Sequence, residues 1–119
     1  MPALNFMKQF APAVKCGEKR MTFRKPRKDG RDPKPGDTLY LYTGMRTKQC
    51  ELLATAACIE VAPAEFTKKG APIIGEEVPT PDKREYIAAL DGHDSYADMI
   101  EFFKSTHGLP FVCNAIFWE

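Results

Sequence analysis

Residues 17–24 read Gly17-Glu18-Lys19-Arg20-Met21-Thr22-Phe23-Arg24. Ahead of them, Lys8 to Cys16 places Phe10, Ala13 and Val14 at helical spacing, and Gly17 is the natural stop beyond that helix. Pro12 falls early enough to be tolerated in a first turn. From Arg20 the period changes. Arg20, Thr22 and Arg24 point one way and Met21 and Phe23 the other, which predicts a half-buried strand with a positively charged face. Thr22 and Arg24 then project from that face about 7 Å apart, with Lys19 at the mouth of the strand. A hydroxyl flanked by two cations suits an anion. It also suits a nucleophile whose proton passes to an amine of lowered pKa. The same residues fit an ordinary solvated strand edge.

Working outward, Lys25 to Gly36 (KPRKDGRDPKPG) holds three prolines, two glycines and five Lys/Arg, too much punctuation for a helix or central strand. After the turn Pro35-Gly36-Asp37, Thr38 to Tyr42 reads as a strand by β-branched and aromatic content. Thr43 to Gln49 is a second basic loop, and Glu51 to Val61 a longer strand. Residues 62–84, rich in Pro, Gly and charge, form an excursion of undetermined structure, and Glu85 to Leu90 fits either a short strand or a helix. Ser95 is a helix N-cap with Asp98 three residues on, and Tyr96, Met99, Ile100 and Phe103 make a core-facing stripe that ends before Gly108. Pro110 to Trp118 closes as an apolar strand. Few helices among many short strands predict one α+β domain over residues 1–119: a small, partly closed β-barrel with flanking short helices.

With 44% hydrophobic and 28% charged residues, the composition is that of a soluble globular domain rather than a disordered or fibrous chain. No apolar run approaches the ~20 residues of a membrane span, and no secretory leader is evident, so a cytoplasmic protein without membrane contact is expected. The net charge of +1 conceals an asymmetry. Residues 1–49 hold 12 Lys/Arg against 4 Asp/Glu, and residues 50–119 hold 5 against 12. Nine Lys/Arg fall between Lys15 and Lys34, and Arg46 and Lys48 add a second cluster, the electrostatic footprint of a phosphate-bearing partner. Tyr40 and Tyr42 offer either a stacking face for a base or barrel packing. The scattered Cys16, Cys50, Cys58 and Cys113 have no metal-ligand spacing, and no metal or cofactor is expected. Apolar neighbours predict buried free thiols for all but Cys50. His93 and His107 could titrate near neutrality, and His107-Gly108 sits where helix C-caps occur.

The pattern G-x-K-x-x-T-x-R after a short helix resembles the ASCH domain, a relative of the PUA domain. The resemblance extends through Lys34-Pro35-Gly36-Asp37-Thr38-Leu39-Tyr40-Leu41, through Leu90-Asp91-Gly92 with Asp98-Met99 and Phe102-Phe103, and through the closing strand Phe111–Trp118. It implies a PUA-like β-barrel with a cleft beside it, and RNA or nucleoside-like ligands. Small members of phage genomes look similar. Some bacterial members are amidohydrolases that deacylate N4-acetylcytidine with a Lys, a Thr and a Glu. Lys19 and Thr22 match the first two. The acid falls near Asp91, one methylene shorter, or on Glu85. The expected ligand contacts are Arg24, Lys25, Arg27, Lys28, Arg46 and Tyr42. Three further readings remain alongside that of an RNA- or modified-nucleoside-binding domain: the amidohydrolase, a ribonuclease and a protein-interaction module.

Overall fold

Alternating apolar and polar residues form strands here, and short amphipathic segments form helices against them. In the computed structural model, residues 3–28, 30–68, 72–75 and 77–119 are described. The elements are β1 (Ala3–Phe6), a 3-10 turn (Lys8–Phe10), α1 (Ala11–Cys16), β2 (Met21–Arg24), β3 (Thr38–Thr43), β4 (Glu51–Phe66), β5 (Pro72–Ile74), α2 (Pro81–Leu90), α3 (Tyr96–Thr106) and β6 (Phe111–Trp118). The strand path is β1-β3-β4-β6-β2, with β5 on β4. β1 runs parallel to β3, and the other pairings are antiparallel.

β4 organises the sheet. Its first half, from Glu51 to Ala57, pairs with β3, and its second half, from Cys58 to Phe66, pairs with β6. A register shift between Cys58 and Glu60 marks the change of partner, and such a bulge bends the strand that carries it. The strand outruns its expected end at Val61. Ala64 and Phe66 bury on one face while Pro63 and Glu65 stay exposed, so the alternation continues. The rest of the 62–84 excursion contains β5 and the start of α2, and its residues 69–71 and 76 lie outside the described residues, as does Asp29 of the first basic loop. The undecided segment 85–90 is helix. Thr80 caps it by accepting from Lys83 N at 3.3 Å, and Pro81 occupies the first turn. α3 begins as expected, with Ser95 accepting from Asp98 N at 3.1 Å, and His107 is its C-cap.

Where a small, partly closed barrel with flanking helices is expected, the structure has a mixed sheet with flanking helices that is not closed into a barrel. The path ends on β1 and β2, and among the described residues no backbone ladder joins them. β2 stops at Arg24, just before Pro26, and the Arg24 side chain spans the seam, donating Nη2 to Asn5 O at 2.5 Å. Two clusters form the core. One packs Met21, Phe23, Phe66, Phe111, Cys113 and Ala115 beneath Ile87, Ala88, Met99 and Phe103 of the two long helices. The other packs Leu4, Phe6, Leu39, Leu41, Ile116 and Trp118 against Phe10 and Val14. β6 feeds both, odd residues 111–115 to the first and even residues 116–118 to the second, as strand alternation dictates. All four cysteines are free thiols. Cys58 and Cys113 are buried, but Cys16 is exposed, contrary to expectation, because it ends α1 with its Sγ turned back to Ala13 O at 3.6 Å. Among the described residues no helix is long and apolar enough to cross a membrane.

Candidate functional site

The turn from α1 into β2 is fixed by three backbone bonds: Gly17 N to Val14 O (3.3 Å), Lys19 N to Ala13 O (3.0 Å) and Arg20 N to Leu90 O (2.9 Å). The last ties this turn to the end of α2, which brings Lys19 against Asp91. Lys19 is only 2% exposed, an unusual place for a lysine unless it is paired. Its Nζ donates to Asp91 Oδ1 and to the main-chain O of Asp91, each at 2.5 Å. The amine also lies 4.9 Å from the Phe10 ring centre and 5.7 Å from that of Phe6, within cation–π range. Its stem crosses Gly92. A Cβ there would meet Lys19 Cδ at 3.2 Å and Phe10 Cδ1 at 3.3 Å, and φ is 87°. Glycine thus satisfies both the backbone and the contact. Asp91 Oδ2 is 3.1 Å from His93 Nε2. With the carboxylate ionised, that contact requires the imidazole proton on Nε2.

Thr22 is 6% exposed. The solvated face expected for this strand is therefore corrected: Met21, Thr22 and Phe23 are all buried, and Arg20 precedes the strand. Arg24 Nε donates to Thr22 Oγ1 at 3.2 Å, and the guanidinium stands 4.8 Å from the Phe6 ring centre. Together these residues line a cavity of about 370 Å³ at the β1–β2 seam. Phe6, Phe10, Phe102 and Phe103 give it aromatic walls, buried Lys19, Thr22 and Asp91 with His93 give it polar depth, and exposed Lys25 and His107 stand at its mouth.

Burial holds the Lys19 amine below the ordinary lysine value. Asp91 opposes this by attraction and hydrogen bonding, and Arg24 adds to the lowering. Burial likewise lowers Arg24, with Asp91 opposing and Arg27 assisting. His107 is lowered by burial, then by Lys25 and Arg24. Cys113 is pushed up to about 12 by burial and by the nearby Asp91.

Of the residues singled out from sequence, Lys19, Thr22, Arg24, Lys25 and Asp91 share the cavity. Lys19 Nζ bonds to Asp91 and Thr22 Oγ1 to Arg24, so the lysine and threonine are neighbours of one cavity without a hydrogen bond between them. Glu85 is exposed on α2, where it accepts from Tyr96 N at 3.1 Å, away from the cavity. Arg27 donates Nη2 to Ala3 O at 3.0 Å. It lies outside the lining, as do exposed Lys28, exposed Arg46 and half-buried Tyr42. The loop that carries Arg46 is tied to the rim, because Met45 N donates to Asn5 Oδ1 at 3.0 Å. Sequence reasoning left His93 without a role and read His107 only as a cap, and both line the cavity. The Asp91-Gly92-His93 turn is the signal that could have found the first. Among the described residues no group of three or more His, Cys, Asp or Glu is placed to hold a metal ion.

No protein-family model matches the chain, and no curated protein matches it in sequence. Solved structures do match. The ASCH protein from Zymomonas mobilis is similar with a TM-score of 0.57 at 13% identity, over 98% of this chain and 65% of that one. A point variant of the same protein is matched over 66% of its length. The hypothetical protein PH0355 is similar with a TM-score of 0.59 at 15% identity, over 98% of this chain and 95% of that one. The chain thus spans about two-thirds of the length of the Zymomonas protein. At these identities the likeness is one of architecture: this chain has the fold seen in the ASCH protein from Zymomonas mobilis, here a mixed sheet not closed into a barrel with three α-helices among the described residues.

Proposed function

We propose that the cavity binds a nucleoside, free or carried by RNA, and that the protein works on such ligands in the cytoplasm. The observation that carries this reading is a buried Lys19–Asp91–His93 network and a Thr22 hydroxyl within an aromatic-walled cavity of about 370 Å³. A base needs flat apolar walls, which Phe10 and Phe102 supply. It needs donors and an acceptor along one edge, which Lys19, Thr22, His93 and Asp91 supply. The sequence resemblance to ASCH domains and the shared architecture support the same ligand class. Calorimetry at low salt with cytidine, N4-acetylcytidine and a short single-stranded RNA tests it. Binding that is lost in Lys19→Met and Thr22→Val is expected, and no binding of any of the three refutes it.

A second reading, an amidohydrolase of N4-acylated cytidine, is favoured by the lowered pKa of Lys19 in the same cavity as Thr22. In this reaction the neutral Lys19 amine takes the Thr22 proton as Oγ1 attacks the amide carbonyl. The carbonyl π electrons move onto oxygen, where Arg24 stabilises the charge. Collapse expels the cytosine amine, which takes the proton from Lys19, and water then hydrolyses the acyl-threonine to acid and free Thr22. The amine must turn from Asp91 towards Thr22 for the first step. Chromatography of N4-acetylcytidine incubated with the protein decides it. Cytidine release abolished in Thr22→Ala supports the reaction, and no release by the unaltered protein rejects it.

A further inference from the structure

The mouth of the cavity is chemically unlike its interior. Arg24, Lys25 and His107 all line it, and none of the three has a salt bridge among the described residues. Lys25 and His107 share one aromatic neighbour. The His107 ring stacks on Phe111 with centroids 4.3 Å apart and planes at 2°, and Lys25 Nζ stands 6.0 Å from the same ring centre. Arg24 precedes Lys25 in the chain and lines the same cavity, and the two cations add to burial in holding the His107 pKa below its ordinary value. The acid in the same cavity lining, Asp91, is already shared by Lys19 and His93. Arg27, anchored on Ala3 O, adds a third positive charge, which acts on Arg24. Two cations beside an imidazole donor at the rim of a ligand cavity favour an anion there, and a tetrahedral oxyanion can accept from several such donors at once.

The geometry points to a phosphate subsite formed by Arg24, Lys25 and His107, so that the ligand is a nucleotide, a phosphate ester of the nucleoside, rather than the free nucleoside. This rests on the reading of the cavity as a nucleoside site and adds the phosphate to it. The guanidinium, whose Nε and Nη2 donate to Thr22 and Asn5, offers its remaining N–H groups, the lysine a mobile ammonium and the histidine a ring N–H, while the base lies deeper in the aromatic-walled cavity. A phosphate on a free mononucleotide and one bridging two residues of an RNA present the same oxygens, so the source is a matter for experiment.

The test is calorimetry at about 50 mM salt with cytidine, its 5′- and 3′-monophosphates, a cytidine-containing dinucleotide and inorganic phosphate. One or more phosphorylated ligands should bind about tenfold or more tighter than cytidine. That advantage should shrink towards one in Lys25→Gln and in His107→Gln, and should fall as salt rises. In Lys104→Gln, which removes an exposed charge on α3 outside the cavity, the ratio should stay as in the unaltered protein. Tighter binding of the dinucleotide assigns the phosphate to an RNA chain, and tighter binding of a monophosphate assigns it to a free nucleotide. If cytidine binds but phosphorylation confers no advantage, or if the advantage survives Lys25→Gln and His107→Gln, the subsite is overturned and the nucleoside cavity stands. If inorganic phosphate binds as tightly as the monophosphates, the subsite stands and the nucleoside cavity falls. If nothing binds, both fall.

Discussion

Asp91→Ala removes the carboxylate that faces Lys19, whose side chain is 3% exposed. Nζ then keeps one acceptor, the main-chain O of residue 91 at 2.5 Å. Breaking a buried pair from one side costs about 3–5 kcal/mol. A domain of this length has a total stability of roughly 6–18 kcal/mol, so the loss is a large fraction of the whole and corresponds to a fall in Tm of roughly 10–25 °C. The cost has a ceiling, because the amine can surrender its proton at about 1.4 kcal/mol for each unit the solution pH lies below its unfolded value of 10.5. The folded pKa of Lys19 is already lowered, so between that value and 10.5 the unfolded chain binds more protons and stability rises with pH. Without Asp91 the folded pKa drops further and the window widens downward. The variant should therefore regain stability relative to the unaltered protein between pH 7 and pH 9. Urea denaturation at both pH values, followed through the single buried Trp118, measures this. Lys19→Met combined with Asp91→Ala should be less destabilised than Asp91→Ala alone, since methionine suits the Phe6 and Phe10 walls. A loss under about 1 kcal/mol at pH 7 for Asp91→Ala, or an equal loss at both pH values, would refute the argument.

Gly92→Ala combines strain at φ 87° with a Cβ 3.2 Å from Lys19 Cδ, and should cost about 1–3 kcal/mol in urea melts. Gly36→Ala, with φ 94° and open space, should cost less, and an equal loss in both would remove the role given to the Lys19 contact. An Ellman titration at pH 8 should find two fast thiols, Cys16 and Cys50, and two that react only on unfolding, Cys58 and Cys113; a third fast thiol would contradict the packing. His107 has its folded pKa below 6.5, so the unfolded chain binds the proton more readily, and stability present above 6.5 is lost as pH falls through the folded value. Lys25 and Arg24 are the charges that face it. Thermal melts between pH 5 and 7.5 should show that part of the slope flattened in His107→Gln, and an unchanged slope would count against it.

What sequence alone revealed was what period and punctuation encode. The strand at Met21–Arg24, the Ser95 cap and the apolar stripe of α3 lie within a few residues of their own signals. α2 was missed at its start because Thr80-Pro81 closes a stretch whose other glycines and prolines read as loop. The open seam left no local trace, because it depends on a side chain of β2 reaching the backbone of β1. The site divides in the same way. Lys19, Thr22 and Arg24 are spaced along one short segment, but their partner Asp91 is 72 residues from Lys19. Asp91 was reached only through the family resemblance, and His93 behind it was not assigned at all. Arg46 and Tyr42 were chosen for residue type, and type does not say that a bulge between Leu41 and Tyr42 interrupts the register of β3.

The position of β6 in the strand path has a consequence for how the protein is made. Among the described residues β2 hydrogen-bonds to β6 and to no other strand, and Thr22 faces Ile116 across that pair. On a ribosome adding roughly 5–20 residues per second, the partner of β2 is synthesised about 5–19 s after β2 itself. During that wait Met21 and Phe23 have no sheet to join, and the Lys19–Thr22–Arg24 segment has no fixed geometry. The cavity is thus assembled last, and a nascent chain halted before Phe111 would bind no ligand and would be a client for chaperones.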